Sequence, residues 1–310
     1  MATTNVTENE KQNYSETIQD LFCSVVIAST LHGQLTFIAV LNAFLSITAF
    51  LGNVLVLAAL RKDSSLHPPS KLLLCSLALT DLCAGMLSEP LYVTLLVTVV
   101  NEHWSICRYL GVAFPVIARI LTHASLLTLT AISVDRLLAL LLGLRYRQVV
   151  TLKRTRLIII TIWVLPLSLA TVGFFYDDSI TSRYGAIVIS LCLVTSTFSH
   201  TKIFLTLRRH QSQVQDHVQQ PNQTNQLNIA RFRKAVSTAL WLKFTLIVCY
   251  LPRVVSVYLL TEPSLSNVVA IIYTITLLFL NSSLNPILYC WKIDEVRQAM
   301  KETISQILCS

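Results

Sequence analysis

The sequence predicts an all-α membrane protein, a seven-transmembrane helix bundle with a short amphipathic helix after the last span. Three observations carry that prediction. The composition, 54% hydrophobic and 13% charged with a mean hydropathy of +0.62 over 310 residues, makes a surface suited to lipid rather than water. Seven apolar runs each reach the ~20 residues that a helix needs to cross a hydrocarbon core of ~30 Å. Basic residues concentrate in alternate connections between those runs.

Taken in order, residues 1–32 form an extracellular amino-terminal segment. Its first twenty residues are polar and carry Asn5-Val6-Thr7 and Asn13-Tyr14-Ser15, sequons that suit glycosylation of an exposed segment. Two further sequons, at Asn222 and Asn281, fall in an inner connection and inside a span and read as chance matches. The bundle occupies 33–291, with spans near 35–60, 72–98, 108–140, 156–175, 185–208, 235–260 and 267–290. Runs of this length without two-residue alternation favour helices over a barrel. Pro90, Pro115, Pro166, Pro252 and Pro286 lie within them; neighbouring helices satisfy the freed carbonyls, at the expense of kinks.

Orientation follows from the connections. Arg61, Lys62 and Lys71 flank the first, Arg145, Arg147, Lys153, Arg154 and Arg156 the third, and Arg208, Arg209, Arg231, Arg233 and Lys234 the fifth. By the positive-inside rule those loops face the cytosol and the amino terminus lies outside, as in a multi-pass plasma-membrane protein. The net charge of +8 is therefore a topology signal spread over separate loops, not a nucleic-acid patch. The fifth connection, near 210–230, is Gln-rich with Pro221. Residues 292–310 read as an amphipathic helix and short cytoplasmic tail. Ile293, Val296, Met300, Ile304 and Ile307 share a face there, and Lys292, Arg297 and Lys301 are available to headgroups. Cys309 is a palmitoylation candidate or an ordinary free cysteine, with equal weight.

The eight cysteines include no CxxC pair and no His-Cys cluster at ligand spacing, which argues against zinc. Only Cys23 and Cys107 lie near the oxidising side, which makes them a candidate disulfide pair.

Polar residues inside spans carry the functional information, because an ionisable group at mid-membrane costs ~2.5–3.5 kcal/mol even on the lenient scale and must face the bundle. Asp81, Ser125, Asn281, Ser282 and Asn285 are placed to converge on one polar pocket. Oxygen ligands around one carboxylate suit a hard cation such as sodium; a hydrogen-bond network without an ion would use the same residues. No other cofactor is required. Toward the outer half, Glu89 and Arg119 are candidate ligand-binding charges, with Ala118 and Phe279 beside them on the third and seventh spans. An internal Glu89–Arg119 ion pair that only fixes helix register is the alternative. At the inner end, Asp135-Arg136 and Tyr289 are compatible with simple interface anchoring.

Six motifs then stand in order in the expected spans: Gly52-Asn53-Val54, Leu77-Ala78-Leu79-Thr80-Asp81, Asp135-Arg136-Leu137, Trp163 with Pro166, Cys249-Tyr250-Leu251-Pro252, and Asn285-Pro286-Ile287-Leu288-Tyr289. With Leu144-Arg145-Tyr146 in the second inner loop, the chain resembles the rhodopsin-type (class A) G-protein-coupled receptors. That resemblance implies a receptor that transduces an extracellular ligand to a heterotrimeric G protein. It makes Asp135, Arg136, Tyr250, Pro252, Asn285, Pro286 and Tyr289 activation elements, and it makes the Asp81 group an allosteric sodium site.

Departures are equally specific. Leu137 stands for the family's Tyr, Tyr250 for Trp, Gly143 for the loop Pro, His200 for the fifth-span Tyr and Cys192 for the fifth-span Pro. The family's outer disulfide has no partners, since Gly111 occupies its third-span position and residues 175–184 contain no cysteine. A short cysteine-free outer loop and a missing fifth-span Pro are similar to the melanocortin branch and its adenosine, cannabinoid and lysophospholipid relatives. Ala118 in place of an amine-binding Asp argues against a biogenic amine, and the lack of Lys between Asn267 and Tyr289 excludes a retinal Schiff base. A peptide, nucleoside or lipid-like ligand remains. A seven-helix transporter or channel is the competing class; only seven glycines and no inverted repeat argue against it. No hydrolase motif lies in the spans, so no enzyme is expected.

Overall fold

The computed structural model describes residues 19–62, 67–175, 178–217, 241, 243–259, 264–292 and 297–298. Helix α1 runs Val25–Lys62, α2 Pro68–Val100, α3 Trp104–Leu142, α4 Leu152–Phe175, α5 Asp178–His217, α6 243–259 and α7 Leu265–Lys292. Among the described residues six of these are long and apolar enough to cross a bilayer; α6 falls within the sixth predicted span, and no strand accompanies them. Asn5, Asn13, Cys309 and most of the predicted terminal amphipathic helix lie outside the described residues.

The sequence explains the arrangement. Each span is apolar around most of its circumference, so lipid-facing residues such as Phe37, Val40, Phe44, Leu157, Ile160 and Phe198 are exposed. The polar residues sit at buried positions, with Asn42, Asn53, Asp81, Glu89, Ser125, Asn281 and Asn285 all within 3% of full burial. Hydrogen bonds between side chains and backbone tie the helices at several levels. Asn53 Nδ2 donates to the carbonyls of Ala49 and Ser282, Ser283 Oγ to Leu45, and Ser46 Oγ to Gly85, joining α1 to α7 and α2.

Local irregularities fall where helix geometry has to change. A π-turn over Ala84–Ser88 interrupts α2 between Asp81 and Glu89, as such bulges commonly do near functional residues. At the end of α3, Gly143 adopts φ +49°, a value closed to proline with its ring-fixed negative φ. Residues Tyr146–Val149 form one helical turn beside it.

At the other end of α3, Cys23 and Cys107 form a disulfide with 6.0 Å between their Cα atoms. Gln19 Nε2 donates to the Arg108 carbonyl beside it, so the segment preceding α1 is held against the first turn of α3. The structure thus carries a cross-link from the amino-terminal side to α3.

Candidate functional site

Deep in the bundle, α2 presents Asp81 at the centre of three hydrogen bonds. Ser125 Oγ and Ser282 Oγ donate to its Oδ1 at 2.9 and 3.0 Å, and Asn285 Nδ2 donates to its Oδ2 at 2.7 Å. Four of the five residues expected at this pocket are therefore brought together from α2, α3 and α7. Asn281 is turned elsewhere: its Nδ2 reaches the Tyr250 hydroxyl at 3.4 Å, linking α7 to α6. The donor set fits a small hard cation. A carboxylate and two hydroxyl oxygens with spare lone pairs face one point, although Asn285 offers its amino side and not its oxygen.

At the far end of α3, Asp135 is buried and Arg136 is exposed. The Asp135 carboxylate is engaged by two other residues. Tyr146 Oη donates to its Oδ1 at 2.6 Å and Ser70 Oγ to its Oδ2 at 2.8 Å, while His67 packs on the Tyr146 ring at 5.1 Å. The sequence marks Asp135 and Arg136 at this end of α3 but not Ser70 and Tyr146 as the partners of the carboxylate. The available signal was Ser70 in the first turn of α2 and a tyrosine hydroxyl eleven residues beyond the aspartate.

His200, where the family has tyrosine, lies 3.2 Å from Ser133 Oγ through Nε2, and its Nδ1 is buried without a hydrogen-bond partner. Ten residues, nearly three helical turns, outward from Ser133, His123 bridges α3 and α5. Its Nδ1 is 2.7 Å from the Arg119 carbonyl and its Nε2 3.3 Å from the Gly185 carbonyl. A Cβ on Gly185 would stand 2.9 Å from that ring nitrogen, so only glycine permits the approach. Gly185→Ala is expected to destabilise the protein by about 1–3 kcal/mol, the cost of overpacking a filled core, read as a lower unfolding temperature in detergent or nanodiscs.

The four candidate ligand-binding residues do not form one cluster. Arg119 lies one turn from His123, on the side of α3 that meets α5. Glu89 is fully buried and neither of its oxygens has a hydrogen-bond partner. The alternative, a Glu89–Arg119 register pair, is therefore not made by hydrogen bonds. Phe279 is 3% exposed and packs with Tyr92 and Phe114, at ring-centroid distances of 5.7 and 6.2 Å; Ala118 packs against the same apolar cluster. An open groove of about 800 Å³ lies elsewhere, between Gln19 and residues such as Arg108, Tyr109, Val112 and Val116 of α3, and none of the four lines it. Pro252 and Pro286 lie within α6 and α7. Tyr289 falls on α7.

Comparison with known proteins gives a consistent result. The sequence pattern of the 7 transmembrane receptor (rhodopsin family) matches residues 52–186. Melanocortin receptor 5 of Rattus norvegicus is 27% identical over 273 residues, covering 84% of this chain and 82% of its own. The protein of the same name in Homo sapiens is 26% identical over 283 residues, covering 86% and 85%. Adenosine receptor A2b of Bos taurus is 28% identical over 308 residues, covering 86% and 88%.

Proposed function

We propose that the chain is a member of the rhodopsin family of seven-transmembrane receptors, to which it is similar, and that it couples an extracellular ligand to a heterotrimeric G protein across the plasma membrane, with its amino terminus outside. The observation that carries this reading is at the Arg136 end of α3. Both oxygens of Asp135 are occupied by Ser70 and Tyr146, which leaves the exposed Arg136 guanidinium to engage a partner at the membrane surface. Basic residues around it, Arg145, Arg147, Lys153 and Arg154, agree with a cytosolic location.

Transmission runs by population shift between two arrangements of the helices. The Asp81 cluster holds α2, α3 and α7 together, and Asn281 extends it to Tyr250 on α6. A ligand that favours another packing of α6 against α7 has to break or lengthen the Asn281–Tyr250 bond, which frees α6 to move. Pro252 and Pro286 give α6 and α7 points at which to bend. Asp81, Ser125 and Ser282 are the residues that would hold a sodium ion, which would supply positive charge at the hub; these side chains already tie α2, α3 and α7 together and oppose that repacking.

The relatives' names point to a melanocortin in one case and adenosine in the other, within the peptide, nucleoside or lipid-like range left by the sequence. The decisive experiment reconstitutes the full chain with purified G proteins and measures nucleotide exchange with melanocortin peptides, adenosine and a lipid panel. Exchange accelerated by one of them is expected, and by reciprocity the G protein tightens binding of that ligand by the same factor. Ion flux through liposomes holding the chain, with no effect on exchange, would establish the transporter alternative, which nothing in the comparisons favours.

A further inference from the structure

The open groove on the outer half of α3, about 800 Å³ in volume, takes no part in the networks above. Its lining changes character with depth. Ser105, Arg108 and Tyr109 line the end near the start of the helix at Trp104, with Gln19 from the segment before α1. Val112, Ala113, Val116 and Ile117 line the rest. Ser105, Tyr109, Val112 and Val116 follow the four- and three-residue spacing of one helical stripe, so the floor is a single face of α3. Along that face the rise from Ser105 to Ile117 is ~18 Å, close to half of a hydrocarbon core of ~30 Å and hence to the depth of one leaflet. Tyr109 is 80% and Val112 47% exposed, as on the lipid side of a span.

One wall of the groove is tethered. Gln19 Nε2 donates to the Arg108 carbonyl at 3.0 Å, and the Cys23–Cys107 disulfide holds the same segment to α3. Gly111 permits the approach, since a Cβ there would stand 3.1 Å from Gln19 Nε2 and 3.4 Å from its Cγ. Charge then selects the guest. Arg108 is exposed, and among the described residues no carboxylate pairs with its guanidinium. The Ser105 and Tyr109 hydroxyls add neutral donors at the same end. A cation above an apolar stripe one leaflet deep matches an amphiphile with an anionic head and a long tail, and an arginine–phosphate contact is charge-assisted and directional. A soluble anion would leave the stripe bare, and a neutral lipid would leave the guanidinium without its complement.

We infer that this groove binds one membrane phospholipid, with its phosphate on Arg108 and an acyl chain along Val112 and Val116. The orientation proposed above makes it a lipid of the outer leaflet. The site stands apart from the Asp81 cluster and from Arg136, and it holds whether or not the chain activates a G protein.

The test is native mass spectrometry of the full chain, purified in detergent and titrated with three probes: palmitoyl-oleoyl phosphatidylglycerol, the diacylglycerol bearing the same chains, and glycerol phosphate. One phospholipid is expected to bind ahead of any others. The diacylglycerol should bind about tenfold more weakly or worse, the worth of a hydrogen bond to a charged group, and glycerol phosphate should give no adduct. Arg108→Gln should weaken the first phospholipid about tenfold. Ala113→Trp, which fills the groove and keeps the charge, should lose it as well. Arg183→Gln, which removes another exposed cation near the outer start of α5, should bind as the parent does. Diacylglycerol held as tightly as the phospholipid reduces the groove to an apolar surface, and glycerol phosphate held as tightly makes it a site for soluble anions; either overturns the proposal. So does equal titration of Arg108→Gln and the parent, or an equal loss in Arg183→Gln. Should a variant unfold early, the three probes on the parent chain still decide.

Discussion

Arg136→Ala is expected to abolish G-protein activation while leaving the fold untouched. The side chain is exposed, and the neighbouring Asp135 carboxylate already has its partners in Ser70 and Tyr146, so its removal strands no buried group. A substitution of that kind changes stability by about 0.5 kcal/mol or less. At the centre of an interface, by contrast, truncating an arginine commonly costs about 2 kcal/mol or more, roughly a 30-fold loss of affinity. Nucleotide exchange on the purified G protein should therefore fall by at least that factor with an unchanged unfolding temperature. A variant that activates normally would remove Arg136 from the coupling surface. One that fails and also unfolds early would show that the residue holds the bundle together.

Asp81 should behave in the opposite way, with a large structural effect and a separable ionic one. Asp81→Ala leaves Ser125, Ser282 and Asn285 as buried donors without their acceptor, and each stranded group costs about 1–3 kcal/mol. The unfolding temperature should drop sharply. Asp81→Asn can turn its amide so that the oxygen meets Asn285 and the amino group meets the two hydroxyls, which also accept; most of the stability should return. The charge does not. At constant ionic strength, replacing choline with sodium is expected to stabilise the parent by mass action and to leave Asp81→Asn unaffected. A sodium response that survives the substitution would move the ion to another site.

Much of this was readable from residue order. The spans are legible because lipid demands long apolar helices, and that demand writes itself into the sequence without reference to tertiary contacts. The convergence of Asp81, Ser125, Ser282 and Asn285 was readable because polar residues in apolar helices have only one direction to face. What could not be read depends on rotation and side-chain choice. Asn281 sits one residue from Ser282 yet points to Tyr250, a step of about 100° around the helix that decides its partner. Asp135 finds Ser70 and Tyr146 because α2 and the turn after Gly143 approach α3, a tertiary event with no local signature. Glu89 and Arg119 carry opposite charges in neighbouring spans, yet the Glu89 oxygens accept no hydrogen bond, an outcome that charge and spacing alone do not reveal.

The connection between α4 and α5 has a consequence of its own. The two helices end and begin at Phe175 and Asp178, and a link of so few residues reaches only about 10 Å even when fully stretched. No flap of chain can fold from that connection across the entrance of the bundle, while the Cys23–Cys107 tie holds the segment before α1 against α3. On this side of the bundle a bound molecule is then retained by the side chains around it and not by a folded outer loop between α4 and α5. Departure past that rim should follow the strength of those side-chain contacts, so weakening one of them shortens occupancy.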